Sequence, residues 1–322
     1  MNNGIINYVM RRMADYLDNS QMIKLQLILE EAFKSEEKAL EKSSAELLEQ
    51  FLSIKRLEGR SEKTFAVYRF NIDKLLSKCE KNVCVMDTDD IRSFLSEYRE
   101  TKGVSKVTVD NVRRNLSSFF KWLEDENNIF KSPLRRIHKI KANISVKESY
   151  ADEDLEKLRD ECRELRNLTI IDLLNSTGMR VGELVNLDKV DVNFDERECK
   201  VLGKGEKERI VYFDARTKLH LKKYLSVRTD SNPALFVTIK DPHHRLHTGG
   251  VEAMLKKMGM ACNVNHVHPH KFRRTMATTA IERGMPIEQV QKLLGHNKID
   301  TTLHYAMVKQ SNVKMAHKRY MC

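Results

Sequence analysis

Apolar side chains recur every three or four residues through most of the chain, and this spacing predicts amphipathic helices. Residues 20–40 form one such pattern, whose stripe of Met, Leu and Ile side chains is typical of a packing surface. Residues 43–136 hold four more patterns. The first three open at Ser44, at Ser61 and at the acids from Asp87 to Asp90, as helix starts do. These residues predict a compact four-helix unit.

The second half of the chain changes its pattern once. A helix with an acidic start is predicted at residues 152–166, and two further helices flank a turn at Thr177–Gly178. Residues 190–213 then have strand character on both sides of the stretch "GKGEKER", and helices resume from about Thr217. The sequence therefore predicts a mainly α fold with a small antiparallel β-sheet in its C-terminal part.

These patterns divide the chain into four segments. They are a helical extension, a helical unit, a basic linker and a C-terminal unit, at residues 1–42, 43–136, 137–149 and 150–322.

Composition narrows the location that we expect for the protein. The apolar runs among the 322 residues are far shorter than the roughly 18 residues that a membrane span needs, and the N-terminus does not resemble a signal peptide. Six cysteines at irregular spacings indicate reduced thiols rather than disulfides. We expect a cytoplasmic protein that makes no contact with a membrane.

Positive charge is concentrated in one part of the chain. The formal net charge is +11, and residues 102–147 carry eleven basic and four acidic side chains, whereas residues 1–50 carry six and nine. A local excess suggests a polyanionic partner such as nucleic acid, although a solvated helix face gives the same pattern. The candidate DNA contacts are Lys106, Arg113, Arg114, Lys121, Arg135, Arg136 and Lys139.

The stretch "HVHPHKFRR" suggests an anion site more than a metal site. It lacks the HExxH and paired-cysteine spacings of zinc sites, so we expect no metal. Pro269 places His270 in the first turn of a helix, with Arg273 on the same face. Such a pair binds anions near a helix N-terminus, and a surface pair of no consequence is the alternative.

Three further stretches carry candidate chemistry. Arg180 follows a glycine turn, and Glu183 three residues later can brace its guanidinium, although an ordinary helix ion pair has the same spacing. Lys204 lies between two glycines in a loop without Walker A spacing, where it is either a proton donor or part of a flexible basic turn. The stretch "LLGHNKIDTTLHY" places His296 nine residues before Tyr305.

The order of Arg180, Lys204, His270, Arg273, His296 and Tyr305 resembles the tyrosine recombinase (phage integrase) family. The matching stretches are "TGMRVGEL", "GKGEKER", "HPHKFRR" and "LLGHNKIDTTLHY", and the resemblance covers about residues 150–310. Arg274 stands where many members have a histidine, usually at a packing or support position, and Ala151 stands where many have a helix-capping Thr or Ser.

The resemblance implies a fold and a reaction. The fold is a helical, SAM-like core-binding domain followed by a catalytic domain. Tyr305 would attack a DNA phosphodiester and form a 3′-phosphotyrosyl link, with no cofactor. Arg180 and Arg273 would stabilise the charge on the phosphate, while Glu183 supports Arg180.

The resemblance also assigns the proton transfers. His270 would accept the phenol proton, Lys204 would protonate the leaving 5′ oxygen, and His296 would donate a hydrogen bond to the phosphate.

The resemblance further implies partners. Family members act as four protomers on two double-stranded DNA sites, and a monomer in solution is compatible with this. Residues 1–42 are predicted to contact another protomer, and not to form an arm-binding domain. The tail after Tyr305 would dock on a neighbouring protomer or pack as a helix on its own chain. A type IB topoisomerase and a non-catalytic DNA-binding protein on the same fold are the alternative functions.

Overall fold

The computed structural model describes residues 2–141, 148–203, 208–296 and 299–303, and it divides the chain into two compact units, Met1–Ile144 and Ser145–Cys322. We call these the N-terminal and C-terminal units. None of the helices in the described part of the chain combines the length and apolar content that a bilayer-spanning helix needs. The linker predicted at residues 137–149 includes residues 142–147, which lie outside the described residues, and the predicted domain limits stay predictions.

All regular secondary structure in the described residues of the N-terminal unit is helical. Its α-helices are α1 (Asn2–Met13), α2 (Asn19–Glu41), α3 (Ser44–Leu57), α4 (Glu62–Leu76), α5 (Thr88–Lys102) and α6 (Lys106–Asp125). Short 3₁₀ turns lie at Val83–Val85 and Pro133–Arg136. The predicted four-helix pattern corresponds to α3–α6, and the pattern at residues 20–40 corresponds to α2.

Helix α6 supplies the centre of this unit because one of its faces is almost entirely apolar. Phe119 and Phe120 are fully buried, and the ring of Phe119 makes an edge contact with Phe51 of α3 at 5.3 Å between centroids. Aromatic pairs of this geometry add to the stabilisation by area burial. The unit therefore has a hydrophobic core of its own.

One prediction in the N-terminal unit needs correction. The N-cap of α3 is Ser43, not Ser44, because Ser43 Oγ accepts from Glu46 N at 3.2 Å while the Glu46 carboxylate accepts from Ser43 N at 2.8 Å. The apolar side chains of α2 divide between two faces. Helix α2 packs against α1 on one face, and a packing role for the other face stays a prediction. Ile23, Leu27 and Ile28 are 61%, 59% and 62% exposed.

The C-terminal unit is mainly helical around one small sheet. Its α-helices are α7 (Asp152–Asp160), α8 (Leu165–Thr177), α9 (Val181–Asn186), α10 (Ala215–Ser226), α11 (Thr248–Ala261), α12 (Pro269–Glu282), α13 (Ile287–Leu294) and α14 (Ile299–Leu303). Its strands are β1 (Val192–Asn193), β2 (Glu198–Leu202) and β3 (Glu208–Tyr212). All strand pairs are antiparallel, in the order β1–β2–β3, with Cys199 opposite Val211. The predicted fold class is confirmed.

Helix α8 is the core of this unit, since its residues from Thr169 to Leu174 are buried on every side. It packs against both α10 and α12. Helix α7 begins after Ala151, which makes no side-chain capping bond, as its position predicted. Because α8 is enclosed, the turn that follows it at Gly178 is fixed in place, and this turn leads directly to Arg180.

Candidate active site

The start of helix α9 positions Arg180. Glu183 accepts a hydrogen bond from Arg180 N at 2.7 Å through Oε2, and another from Arg180 Nη1 at 2.8 Å through Oε1. The same carboxylate thus closes the first helical turn and holds the guanidinium. Burial raises the pKa of Glu183, but hydrogen bonds from Arg209 and from Arg180 N outweigh it and hold this pKa below its usual value. The predicted brace between Arg180 and Glu183 is present.

Gly178 lets helices α8 and α12 approach each other closely. It has a left-handed φ of 61°, and a Cβ atom there would lie 2.1 Å from Met276 Cε. This approach brings the carbonyl of Gly178 within 2.7 Å of Arg273 Nη1. A side chain at position 178 would therefore disturb both the turn and the contact with Arg273.

Arg273 is 3% exposed and is held by backbone oxygens. Besides the Gly178 carbonyl, it donates from Nη2 to Leu294 O at 2.5 Å and to His296 Nε2 at 3.0 Å. Arg180 reaches the next carbonyl, with Nη2 3.3 Å from Gly295 O. The two arginines of the predicted site thus converge on the turn that ends helix α13.

His296 follows this turn and is neutral at pH 7. Burial, and then the charges of Arg273, Arg180 and Arg209, lower its pKa to about 4. Since Arg273 donates to Nε2, the ring proton lies on Nδ1, where Thr302 Oγ1 accepts it at 2.9 Å. Thr302 is fully buried in α14, so His296 links the arginines to the helix that precedes Tyr305 in the sequence.

His270 lies in the first turn of α12, as predicted, and is exposed. Partial burial and the charges of Arg273, Arg180 and Arg274 lower its pKa below the ordinary value, so its neutral form prevails at pH 7. A neutral, accessible imidazole can accept a proton. On the same helix Arg274 Nη1 donates to Glu148 O at 2.6 Å, which is a supporting contact of the kind expected at that position.

Two of the predicted site residues, Lys204 and Tyr305, lie outside the described residues. Strand β2 ends at Leu202, shortly before Lys204, and the described residues resume at Glu208 in strand β3. The described residues stop at Leu303 of helix α14, two residues before Tyr305 in the sequence. The structure thus brings together Arg180, Glu183, Arg273 and His296, with His270 on the same helix as Arg273.

Arg209 is a residue of the site that was not predicted from the sequence. Its Nη1 and Nη2 atoms donate to Glu183 Oε1 and Oε2 at 2.5 and 2.7 Å, and its Nε donates to Leu293 O at 3.2 Å. A signal existed, because Arg209 shares the inward face of β3 with the buried Val211. A charged side chain on an inward strand position needs a partner, and this requirement could have identified it.

Most of the candidate DNA contacts are accessible. Exposed side chains are found at Lys106, Arg114, Lys121, Arg135, Arg136 and Lys139. Arg113 does not fit the prediction of a groove contact, since its side chain is 13% exposed and its Nε donates to Asp110 Oδ1 at 2.8 Å. The same Asp110 oxygen accepts from Ile140 N at 3.0 Å, so this pair fastens the end of the N-terminal unit.

No group of three or more His, Cys, Asp or Glu side chains within the described ranges is placed to hold a metal ion. The site is instead a cluster of guanidiniums and imidazoles around backbone oxygens. Such fixed donors suit an anion with several oxygens, and a phosphodiester is the simplest of these.

Comparison with known proteins agrees with this kind of site. The family model described as "Phage integrase family" matches residues 148–312, and the model described as "Phage integrase, N-terminal SAM-like domain" matches residues 47–128. The first of these matches covers every residue of the candidate site.

Curated relatives match over most of the chain. The tyrosine recombinase XerC of Leptospira interrogans serogroup Icterohaemorrhagiae serovar copenhageni (strain Fiocruz L1-130) is 30% identical over 290 residues, which cover 85% of this chain and 92% of the relative. The tyrosine recombinase XerA of Pyrococcus furiosus (strain ATCC 43587 / DSM 3638 / JCM 8422 / Vc1) is 32% identical over 281 residues, which cover 85% and 94%.

A solved structure shares the fold. The crystal structure of XerH site-specific recombinase bound to palindromic difH substrate aligns with a TM-score of 0.68 and 22% identity, over 98% of this chain and 95% of that chain. The chain belongs to the phage integrase family, the tyrosine recombinases, and is an enzyme of DNA recombination.

Proposed function

We propose that the protein is a site-specific recombinase that cuts and rejoins double-stranded DNA through a 3′-phosphotyrosyl bond to Tyr305. One observation carries this proposal: Arg180 and Arg273 donate to the consecutive carbonyls of Gly295 and Leu294, with the neutral His296 beside them. Two guanidiniums held so close together suit the non-bridging oxygens of one phosphodiester. The relatives named above carry the name tyrosine recombinase, which supports a tyrosine nucleophile.

The proposed reaction exchanges one ester for another. The Tyr305 oxygen attacks phosphorus, the bond from phosphorus to the 5′ oxygen breaks, and the strand end leaves as a 5′-hydroxyl. His270 takes the phenol proton, and Lys204 gives a proton to the leaving oxygen. A 5′-hydroxyl from a second duplex reverses the step and joins the two DNA molecules, which is strand exchange.

Arg180 and Arg273 stabilise the negative charge that develops on the phosphate. His296 contributes only after a rearrangement, because its Nε2 accepts from Arg273 in the structure described. Donation from Nε2 to phosphate requires Arg273 to turn toward that phosphate and the ring proton to move to Nε2. The Thr302 hydroxyl then donates to Nδ1. Binding of the phosphate thereby sets the tautomer of His296.

We further propose a homotetramer on two DNA sites, formed on DNA from monomers. The exposed basic side chains of α6 and of Pro133–Arg136 would contact phosphates, so affinity should fall steeply with salt. The exposed apolar side chains of α2 would contact another protomer. With DNA as its substrate, the protein would act in the cytoplasm at the nucleoid.

A type IB topoisomerase and a non-catalytic binding protein are the weaker alternatives. The two curated relatives described above carry the name tyrosine recombinase, which favours partner exchange over simple relaxation. Arg180, Arg273 and His296 meet at the one turn that ends α13, and this convergence of phosphate-binding side chains favours a catalyst.

The test is covalent trapping on nicked DNA duplexes taken from the sequence that flanks the gene. Wild type should give a protein–DNA band on a denaturing gel, and Tyr305→Phe should give none, because phenylalanine has no nucleophilic oxygen. Tyr212→Phe, at an exposed tyrosine of β3, is the matched control and should keep the band. Absence of the band in wild type, on flanking DNA and on an unbiased duplex library, would overturn the proposal. Strand exchange between two labelled duplexes separates a recombinase from a topoisomerase.

A further inference from the structure

The Glu183 carboxylate accepts four hydrogen bonds from two arginines. Oε1 accepts from Arg180 Nη1 and Arg209 Nη1, and Oε2 accepts from Arg180 N and Arg209 Nη2. Glu183 is 4% exposed, so water cannot readily replace any of these donors. Arg209 is 26 residues away in sequence and reaches Glu183 from strand β3.

Arg209 also contacts the turn on which Arg180 and Arg273 converge. Its Nε donates to Leu293 O at 3.2 Å, and a Cβ atom on Gly295 would lie 3.0 Å from Arg209 Cδ. Gly295 has a left-handed φ of 65°, so a side chain there would be strained as well as crowded. One arginine thus touches Glu183 on one side and the carbonyl-bearing turn on the other.

The charges of this cluster depend on Arg209. An arginine paired with one carboxylate is electrically neutral as a pair and attracts a phosphate weakly. With Arg209 included, two positive charges face one negative charge, and the excess lies at Arg180, whose side chain is 35% exposed. Arg209 itself is 13% exposed. The outward arginine can therefore act on an anion while the inward one neutralises Glu183.

We propose that Arg209 is a positioning residue of the recombination reaction: it fixes and neutralises Glu183, so that Arg180 keeps both its orientation and its net positive charge for the phosphate. This inference rests on the function proposed above. Arginine is required because its planar fork meets both carboxylate oxygens while Nε reaches the Leu293 carbonyl. A lysine restores the charge but makes only part of these contacts.

The first test compares cleavage rates in a single turnover on a nicked duplex. Arg209→Met should cleave about 10²-fold more slowly than wild type, the loss expected when a reacting group is misplaced by about 1 Å. The cleavage rate of Arg209→Lys should lie between the rates of wild type and Arg209→Met. Lys200→Met is the matched control, because the exposed pair of Lys200 and Glu208 spans the same two strands without touching Glu183, and it should cleave at the wild-type rate. A wild-type rate for Arg209→Met would overturn the proposal.

The second test shows which catalytic group Arg209 serves. A methylphosphonate at the cleaved position removes one negative charge from the phosphate. The loss of cleavage rate caused by Arg209→Met should therefore be smaller on this substrate. The same is expected for the loss caused by Arg180→Met. A bridging phosphorothiolate has a sulfur leaving group that needs no proton, so the deficit should persist on it. Rescue by the phosphorothiolate alone would mean that Arg209 serves Lys204 through the strand, and would overturn the proposal. An equal deficit on all three substrates, with a lowered melting temperature, would show a merely structural role and overturn it too.

Failure of this inference is distinguishable from failure of the proposed function. Wild type and Tyr305→Phe are run beside the Arg209 variants. Cleavage by wild type and none by Tyr305→Phe upholds the chemistry, and the Arg209 rates then decide the positioning role alone. Absence of cleavage in wild type rejects both.

Discussion

Two buried carboxylates of the C-terminal unit, Asp172 and Glu183, each have two basic partners, but the two clusters have different roles. Asp172 is 2% exposed and contacts Arg159 Nε at 2.7 Å and His220 Nδ1 at 2.5 Å. These partners come from α7 and α10, both of which pack on α8, so the cluster fastens three helices.

Around Glu183 the arrangement is asymmetric. Arg209 is nearly enclosed, whereas Arg180 keeps a third of its side chain accessible beside the buried Arg273. A buried carboxylate with two basic partners therefore does not by itself mark a functional site. The mark of the site is one partner left open to an anion.

The largest effect that tests this comparison is on stability at Asp172. Asp172→Ala should lower the free energy of unfolding by about 3–5 kcal/mol, because it leaves the guanidinium of Arg159 buried without that partner. Urea unfolding measures this loss. Cleavage by the folded protein should be unchanged. A stability loss below about 1 kcal/mol, or a slower reaction in protein shown to be folded, would contradict the structural role of this cluster.

The converse is expected at Arg180. Arg180→Ala should slow cleavage by about 10²–10³-fold, since a fixed donor to the transition state is lost. The free energy of unfolding should change by less than about 1 kcal/mol, because Glu183 keeps Arg209 as its partner. Arg216→Ala removes another accessible arginine, paired with Glu156 at 3.4 Å, and should change neither quantity. If Arg180→Ala lost stability but not rate, the contrast between the two clusters would collapse.

The smallest expected effect is the change in the free energy of unfolding with pH that comes from titrating groups in the site. The pKa of His296 is about 4 in the folded protein and about 6.5 when unfolded. Between these values the unfolded chain binds more protons, so stability falls as the pH drops from 6.5 toward 4. The lowered pKa of Glu183 acts in the same direction at lower pH, because its stabilising contribution is lost as the carboxylate becomes protonated.

Urea unfolding at pH 7 and pH 5 measures this dependence. Wild type should be less stable at pH 5, and His296→Gln should lose less than wild type between the two values. Identical losses in both proteins would show that His296 does not titrate in the way its surroundings require.

The parts of the site that sequence could predict are local in the chain. Arg180 and Glu183 are three residues apart at a helix start, and His270 and Arg273 share one helical face, so spacing alone relates them. The helices and the strand pair were predictable for the same reason. The choice between Ser43 and Ser44 as N-cap was not, since Ser44 Oγ accepts from the distant Val83 N instead.

The parts that could not be predicted depend on contacts between distant residues. Arg273 meets Gly178 across 95 residues, and Arg209 meets Glu183 across 26. Thr302 is close to His296 in sequence. Its hydrogen bond to Nδ1 is nevertheless set by Arg273, which donates to the other ring nitrogen, Nε2. Arg113 was predicted as a DNA contact, but its side chain is held by Asp110. Asp110 is itself fixed by a hydrogen bond from the distant Ile140 N, which the sequence does not reveal.

The acceptors of Arg273 and Arg180 at Gly178, Leu294 and Gly295 are main-chain oxygens at the C-terminal ends of α8 and α13. The negative ends of two helix dipoles thus hold the cations without a further carboxylate that would cancel their charge. Main-chain atoms also do not change when side chains are replaced. Replacing a neighbouring side chain therefore leaves these acceptors in place, provided that the two helices still end at these glycines.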